Sequence, residues 1–356
     1  CMEMEKKMEK NQRIGRASMQ PAKPVYILGS SSIVGTKEGQ GPLGLLFDMV
    51  GSDDMFGCKT WEEAESNLQK DAVYLALEKA GKKAEDISLM FAGDLLGQSI
   101  ATSFGIASYQ IPLFGVYGAC STCGESLTLG VISIAGGFAE TAVCVTSSHF
   151  ASAEKEFRFP LDYGSQRPLS ATWTVTGSGA FVLGSEQEAE NCKVARPRAK
   201  ITGLTVGMIV DYGLKDSMNM GACMAPAAAS TLERHFIDFN SQPEDYDKII
   251  TGDLGKVGQK VLFDLMKEKN FDISEQHMDC GMEIFDEATQ DTHAGGSGCG
   301  CSAVTLSAYI LKQLEEHNWK KVLFMPTGAL LSKTSFNEGK SVPGIAHALV
   351  LESPVL

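Results

Sequence analysis

Short runs of apolar residues alternate with longer amphipathic segments along most of the chain. Segments such as VYILGSSS (25–32) are short, apolar and bounded by turn residues, which is typical of buried strands. The segment 60–80 has the helical period instead: Thr60 and Glu63 have the spacing of a capping box, and Gly81 ends the helix. Strands that alternate with helices predict an α/β protein whose mostly parallel sheets are covered on both faces.

The pattern repeats along the chain. The segment LALEKAGKKAEDISLMFAGDL (75–95) aligns without a gap with RHFIDFNSQPEDYDKIITGDL (234–254), an offset of 159 residues (234 minus 75). Gly81 aligns with Asn240, and both residue types tolerate the left-handed conformation that ends a helix. Each copy closes on Gly-Asp-Leu, so that Asp94 corresponds to Asp253. Each copy therefore predicts a helix, an acidic turn, a buried strand and an aspartate after the strand.

The elements that follow the repeat also occur in the same order. A glycine-rich turn opens an apolar helix at 118–132 and again at 295–310, and each half closes on an apolar strand. We therefore predict two tandem βαβαβαββ halves related by a pseudo-two-fold axis. The predicted segments are an N-terminal tail at 1–22, a first half at 23–190 and a second half at 191–356.

The composition of the chain narrows the range of possible functions. The chain carries 31 Lys and Arg against 44 Asp and Glu, a formal charge of -13, which disfavours a nucleic-acid partner because phosphate binding depends on cationic side chains. Residues 1–18 lack the apolar stretch of a secretion signal, so we expect a soluble intracellular protein. Its ten cysteines are then expected to be thiols, and no cofactor or metal centre is predicted.

The glycine-rich turn of the first half is the strongest candidate for chemistry. It places Cys120 just before a helix, where the helix dipole and free N–H groups favour a thiolate. Cys120 is either the functional group of a site or a small residue packed at a tight turn. Asp94 and Asp253 are likewise either site residues or caps of their turns. His149 is either a site residue or a histidine hydrogen-bonded in the core.

A long loop at about 150–174 is the second candidate for function. It inserts between predicted strands and is long enough to be functional. Arg158 and Arg167 lie in it among aromatic residues, so each side chain either meets a ligand or packs against the neighbouring rings.

Two fused copies of an α/β unit, with a cysteine at the strand-to-helix turn of the first, resemble the thiolase fold shared by thiolases and ketoacyl synthases. This resemblance implies five alternating layers, α/β/α/β/α. From about Pro24 onward the chain is similar to the stage V sporulation protein AD family of endospore-forming bacteria. Segments that carry the similarity include GPLGLLFD (41–48), AGDLLGQ (92–98), YGACST (117–122), TSSHFASAEKEFRFPLDYG (146–164), TGDLGKVG (251–258) and AGGSGCGCSA (294–303).

The resemblance implies a binding protein that has lost the chemistry of condensation. A condensing enzyme pairs its cysteine with His or Asn groups that move protons and stabilise an enolate. Where a ketoacyl synthase has its histidine this chain has Asp253, whose charge opposes a thiolate, and the place of the asparagine is taken by the turn 295–297. His293 lies one residue out of register with a thiolase histidine, and no cysteine follows Cys301. An acyl-thioester condensing enzyme or acyltransferase that uses Cys120 and His293 is the alternative.

The same resemblance implies that the family binds dipicolinic acid and takes part in loading it into the developing spore. Dipicolinate is flat and carries two carboxylates related by a two-fold axis, so the pseudo-symmetric fold predicts one helix N-terminus for each carboxylate. The acid binds either free or as a calcium chelate, for which Asp94 and Asp253 are candidate ligands. The candidate ligand-binding residues are Cys120, Ser121, Thr122, His149, Arg158, Asp94, Asp253, His293, Gly295, Gly296 and Ser297.

Partners and a place of action are also implied by the resemblance. We expect a homodimer, as is common for the fold. We expect further partners among the other stage V sporulation proteins of the same membrane-associated transport system. The protein is then expected to associate peripherally with the spore inner membrane.

Overall fold

The N-terminal half is one mixed sheet with helices on both faces. The computed structural model describes residues 12–157, 166–192, 194 and 196–354. The strands of this half are β1 (Val25–Val34), β2 (Leu89–Gly93), β3 (Leu113–Gly115), β4 (Thr141–Ser148) and β5 (Gly177–Gly184). Its main helices are α1 (Trp61–Ala80), α2 (Ile100–Gly105), α3 (Thr122–Ala135) and α4 (Phe150–Phe157).

The C-terminal half repeats this arrangement. Its strands are β6 (Ala199–Thr205), β7 (Lys248–Thr251), β8 (His277–Asp279), β9 (Lys321–Met325) and β10 (Ala348–Glu352). Its main helices are α5 (Met220–Phe239), α6 (Gly255–Glu268) and α7 (Cys299–Thr305), and α7 continues through a π-helical turn at Leu306–Ile310 into Leu311–Glu315. Shorter elements include strands at Trp173–Thr174, Gly296–Ser297, Thr327–Ala329 and Gly344–Ala346, and helices at Thr36–Gly39, Glu186–Asn191, Cys280–Glu283, Glu287–Gln290 and Lys333–Asn337.

Both sheets have the same strand order. The order is β3-β2-β4-β5-β1 in the first half and β8-β7-β9-β10-β6 in the second. In each sheet the fourth strand in this order runs antiparallel to its neighbours, and the first three strands are parallel. The strands that precede Asp94 and Asp253 hold equivalent positions, second from the outer edge. The two sheets join through antiparallel pairing of β1 with β6, where Ile27 lies opposite Ala199. The predicted tandem halves are confirmed.

The repeat also determines where the long helices begin and end. α1 and α5 both contain 20 residues, and they begin 159 positions apart (220 minus 61). Gly81 and Asn240 end them in the left-handed conformation, with φ angles of 62° and 49°. At the start of α1 the Thr60 hydroxyl accepts the Glu63 N–H (3.2 Å), as predicted. The Glu63 carboxylate accepts the N–H of Lys59 (3.1 Å) and so does not close the capping box on Thr60.

The structure has the five alternating layers expected from the sequence. Three large hydrophobic clusters fill the spaces between them, and the central cluster contacts both sheets. One cluster packs α1 against the outer face of the first sheet, and another packs α5 and α6 against the outer face of the second. The third lies between the sheets, where Leu127 of α3 and Val304 of α7 share a core with Phe181 of β5 and Phe324 of β9. Because α3 and α7 are buried there, their N-terminal turns lie at the boundary between the halves.

The N-terminal segment from Gln12 to Met19 packs against the C-terminal half. Ser18–Met19 forms a hairpin with Arg13–Ile14 and pairs with β6. The Asp238 carboxylate of α5 accepts hydrogen bonds from the Ala17 N–H (3.1 Å) and from the Ser18 hydroxyl (3.0 Å). Residues 12–22, which fall in the predicted tail, are therefore part of the folded structure. In the described part of the chain, no helix combines the length and apolar character needed to cross a membrane.

Candidate functional site

A cleft lies between the two halves, where α3 and α7 begin. It is partly open to solvent, and about 550 Å³ there is free of protein atoms when the solvent at its mouth is included. Ala119 and Cys120 line it from the first glycine-rich turn, and Ser297 lines it from the second. Hydroxyl, thioether and methyl groups make up most of the remaining surface. These other lining residues are Leu95, Ala153, Glu154, Ala171, Thr172, Thr174, Ser217, Met218, Met220 and Ala329.

The turn before α3 is fixed by its own hydrogen bonds. Ala119 adopts a φ of 51°, which is uncommon for a residue with a side chain. The Thr122 hydroxyl accepts the Gly118 N–H (3.0 Å) and donates to the Ala119 carbonyl (2.6 Å). The Ser121 hydroxyl donates to the Gly118 carbonyl (2.6 Å). Ser121 and Thr122 are therefore buried supports that hold Cys120 at the cleft wall, and they do not line the cleft as predicted.

Asp253 connects the two glycine-rich turns. It is 1% exposed, and its carboxylate accepts hydrogen bonds from the Gly298 N–H (3.0 Å) and the Thr327 hydroxyl (2.8 Å). The Cys120 thiol lies next to this carboxylate, and each group affects the pKa of the other. Gly298 is the N-cap of α7. A carboxylate of the protein itself thus occupies the N-terminus of this helix, where the dipole favours negative charge.

Burial controls the charges of these two groups. It raises the pKa of Asp253 to about 7, although the hydrogen bonds to the carboxylate oppose the shift. Burial also raises the pKa of Cys120 well above its usual range, and the charge of Asp253 raises it further. The thiol is therefore neutral at pH 7. The loss of hydration and the nearby carboxylate oppose the helix dipole, which alone would favour a thiolate.

Asp94, the counterpart of Asp253 in the first half, forms hydrogen bonds within the segment that follows β2. Its carboxylate accepts the Leu96 N–H (2.8 Å), the Thr102 N–H (2.8 Å) and the Thr102 hydroxyl (2.6 Å). It is therefore a cap of the segment after β2. The N-cap residue of α3, Ser121, makes no side-chain capping hydrogen bond. The two turns differ as a result: the start of α3 carries no side-chain cap, whereas the start of α7 holds Asp253.

The symmetry pair of Asp94 and Asp253 does not form the predicted set of calcium ligands. Internal hydrogen bonds occupy both carboxylates, and neither residue lines the cleft. Within the described ranges, no three or more His, Cys, Asp or Glu side chains converge as a metal site.

Only one of the three predicted residues in the second turn reaches the cleft. Ser297 lines it. Gly295, with a φ of 124°, accepts the Trp173 N–H (2.8 Å) behind the turn. A Cβ at Gly296 would lie 2.8 Å from the Cγ2 of Ile284. Gly295 and Gly296 are therefore required for close packing of the turn, and they do not expose N–H groups to a ligand as predicted.

The two predicted histidines lie away from the cleft. His149 is buried, its Nε2 donates to the Asp54 carbonyl (2.7 Å), and burial lowers its pKa. His149 is thus a hydrogen-bonded core histidine. His293 Nδ1 donates to the Pro168 carbonyl (2.9 Å), and the residue does not line the cleft. Arg158 lies outside the described residues.

The segment predicted as a loop at 150–174 begins as helix α4, and its described residues contribute much of the remaining lining. Its Arg167 does not, because the guanidinium packs over the Trp173 ring, with Cζ 5.1 Å from the ring centroid. A second group of lining residues lies at the start of α5. The sequence does not predict that this group lines the cleft, because it reaches the cleft only through the packing of the two halves. The residues from these two segments are Ala153, Glu154, Ala171, Thr172, Thr174, Ser217, Met218 and Met220.

The strand order and the cleft between the duplicated halves define a thiolase-like protein. The chain is similar to human mitochondrial 3-ketoacyl-CoA thiolase in complex with CoA, with a TM-score of 0.59, 12% identity, and coverage of 95% of this chain and 100% of that chain. It is also similar to 3-oxoacyl-[acyl-carrier-protein] synthase III from Aquifex aeolicus VF5, with a TM-score of 0.55, 13% identity, and coverage of 92% and 99%. At such identities the similarity establishes the fold alone.

The sequence identifies the family within this fold. The family model of stage V sporulation protein AD matches residues 15–352. Stage V sporulation protein AD of Bacillus subtilis (strain 168) is 42% identical over 329 residues, which cover 92% of this chain and 94% of that protein. This chain belongs to the stage V sporulation protein AD family. Both the family and the fold expected from the sequence are confirmed.

The pH dependence of stability tests the burial of Asp253. Folding raises its pKa from an ordinary value of 3.8 to about 7, so its contribution to stability is fully present below pH 4 and is lost as the pH rises through 7. Asp253→Asn carries no charge at any pH, so its melting temperature relative to that of the wild type should rise by a few degrees between pH 5 and pH 8, where the wild-type carboxyl ionises in the folded state. Calorimetry between pH 5 and 8 measures this difference, and an equal effect at both ends would contradict it.

Proposed function

We propose that this protein binds dipicolinic acid in the cleft between its halves and acts in the uptake of the acid into the developing spore. Membership of the stage V sporulation protein AD family and a cleft at the start of a central helix support the proposal. The observation that carries it is the difference between the two turns. Because α3 begins directly behind Cys120 at the cleft wall and carries no side-chain cap, its dipole favours a ligand carboxylate there.

The remaining lining suits a flat aromatic acid. Thr174 and Ser297 carry hydroxyl groups that donate hydrogen bonds to carboxylates. Met218 and Met220 offer flexible thioether surface, which packs favourably against aromatic rings. We expect one ligand carboxylate at the start of α3 and the other among the hydroxyl groups.

Charge determines which form of the acid binds better. Among the described residues that line the cleft there is no Lys, Arg or His. A free dianion would enter a protein whose formal charge is -13, while a calcium chelate brings its own positive charge. We therefore expect calcium to strengthen the binding of dipicolinate.

Ligand-dependent melting tests the proposed site. Dipicolinate should raise the melting temperature in a saturable way, and picolinate, which lacks one carboxylate, should bind about tenfold more weakly or worse because it leaves donors unpaired. Thr174→Val keeps the shape of the side chain but removes its hydroxyl from the cleft, so dipicolinate should bind about tenfold more weakly to it. Thr128→Val, on α3 and outside the cleft lining, is the matched control.

Two results would contradict this site. Equal affinity for the monoacid and the diacid would exclude recognition of two carboxylates. Undiminished binding by Thr174→Val would place the ligand elsewhere. Running each titration with and without calcium separates the free acid from the chelate.

We further propose that Cys120 is a wall of the binding site and takes no part in catalysis. Its thiol lies next to a carboxylate that favours retention of the proton. His293, the candidate partner in acyl transfer, lies outside the cleft lining. Both features oppose formation of a nucleophilic thiolate.

Incubation with acetyl-coenzyme A tests this assignment. Peptide mass spectrometry should detect no stoichiometric acetyl group on Cys120, and the profile should match that of Cys120→Ser at the remaining cysteines. Rapid, specific acylation of Cys120 followed by transfer to an acceptor would instead support the condensing enzyme or acyltransferase.

A homodimer that pairs through the edge of the first sheet is the proposed assembly. β3 ends the strand order of that sheet, and its Leu113 and Phe114 are 44% and 56% exposed. Tyr117, just after β3, is 44% exposed. An apolar edge strand of this kind is normally covered by another chain.

Light scattering on a sizing column tests the dimer. The wild type should elute as a dimer and Phe114→Glu as a monomer, because the substitution places a charge on the paired edge. Ile237→Glu replaces an exposed apolar residue of α5 in the outer layer of the other half and should leave the dimer intact. A monomeric wild type would contradict the proposal.

Other stage V sporulation proteins of the membrane-associated transport system are the remaining proposed partners. Through them the protein would be held at the spore inner membrane. The resemblance to the family is the support for this part of the proposal.

A further inference from the structure

Asp253 holds the position that an anion would take at the second turn. Its carboxylate accepts the N–H of Gly298 at the start of α7 and the hydroxyl of Thr327. The thiol of Cys120, which lines the cleft, lies next to the same carboxylate. Asp253 therefore lies one side chain away from any ligand in the cleft.

The surroundings of Asp253 supply no compensating positive charge. The groups that face it come from the first turn, from α7 and from the end of β8, and none of those in the described part of the chain is a cation. A dianion placed beside Cys120 would meet this negative charge across one thiol, and like charges in a site with little water repel strongly. The facing titratable groups are Cys120, Cys299, Cys301, Asp279 and Cys280.

We infer that binding of a dicarboxylate in this cleft is coupled to the uptake of one proton by Asp253. The inference rests on the proposed function. The proton comes from solvent and converts the carboxylate to a carboxylic acid, with no other bond made or broken. Loss of the Asp253 charge removes the repulsion while leaving the Gly298 and Thr327 donors satisfied by the same oxygens.

Protonation of Asp253 also changes the hydrogen bonds that Cys120 can make. An ionised Asp253 attracts the thiol proton, so that the Cys120 sulfur presents lone pairs to the cleft. When Asp253 carries a proton, its O–H donates to the sulfur and frees the S–H to point at a ligand carboxylate. One proton thus changes this part of the wall from an acceptor to a donor, which favours an anionic ligand.

Asp253 is ionised in many molecules before the ligand binds, so it can take up a proton on binding. Burial holds the pKa of Asp253 at about 7, so a substantial fraction of the protein is ionised at neutral pH. At pH 8 most molecules have an ionised Asp253 before binding. Asp279 is less suited to the role, because its carboxylate accepts the N–H groups of Leu254 (2.8 Å) and Gly255 (3.1 Å) near the start of α6.

Isothermal titration calorimetry with dipicolinate, without calcium, tests the coupling. Titrations at pH 8 in two buffers of different ionisation enthalpy give the number of protons taken up, which should be close to one for the wild type. Affinity should fall about tenfold for each pH unit above the pKa of the group that takes up the proton. Asp253→Asn should bind with no proton uptake and with an affinity independent of pH. Glu38→Gln removes another buried carboxyl, one outside the cleft lining, and should behave as the wild type does.

The possible outcomes separate this inference from the proposed function. Saturable binding with no proton uptake would overturn the coupling and leave the ligand assignment standing. Proton uptake that persists in Asp253→Asn would also overturn it, since another group would then be titrating. No binding by the wild type between pH 6 and 8, with or without calcium, would overturn the proposed function and the coupling together.

Discussion

The hydrogen bond from the Gly298 N–H to the Asp253 carboxylate shapes the whole cleft. α7 begins between two sheets, where its first N–H groups are shielded from water and need acceptors inside the protein. Asp253 supplies one such acceptor at 3.0 Å, and its charge is favoured there by the helix dipole. The same carboxylate faces Cys120 and raises the pKa of its thiol. A requirement for satisfying one buried helix end thus also determines the chemistry of the opposite turn.

Duplication gave the protein two similar scaffolds, but their helix ends now differ. The strand order, the positions of β2 and β7 and the lengths of α1 and α5 are shared by the halves. Asp94 turns back to cap its own segment, whereas Asp253 reaches α7. One helix N-terminus without a side-chain cap, that of α3, therefore lies behind the cleft wall next to Cys120. We propose that this geometry suits an anionic ligand better than acyl transfer, although the fold is shared with 3-ketoacyl-CoA thiolase and 3-oxoacyl-[acyl-carrier-protein] synthase III.

The sequence was informative wherever the relevant contacts are local or periodic. The offset of 159 residues predicted the paired helices and their left-handed ends at Gly81 and Asn240, because a helix end depends on a few neighbouring residues. The site was harder to predict. Asp253 and Gly298 lie 45 residues apart, and whether an aspartate caps its own turn or another helix depends on the packing of whole layers. Gly296 illustrates the same limit, since only the packed structure shows that Ile284 occupies the space in front of it.

A crystal structure of the protein with dipicolinate, grown below pH 7, is the decisive measurement for the proposed site. We expect the pyridine ring between Cys120 and Ser297, with one carboxylate at the start of α3 and Asp253 still bound to the Gly298 N–H. A ligand with one carboxylate on each helix N-terminus and Asp253 displaced would contradict this expectation, as would a ligand bound outside the cleft.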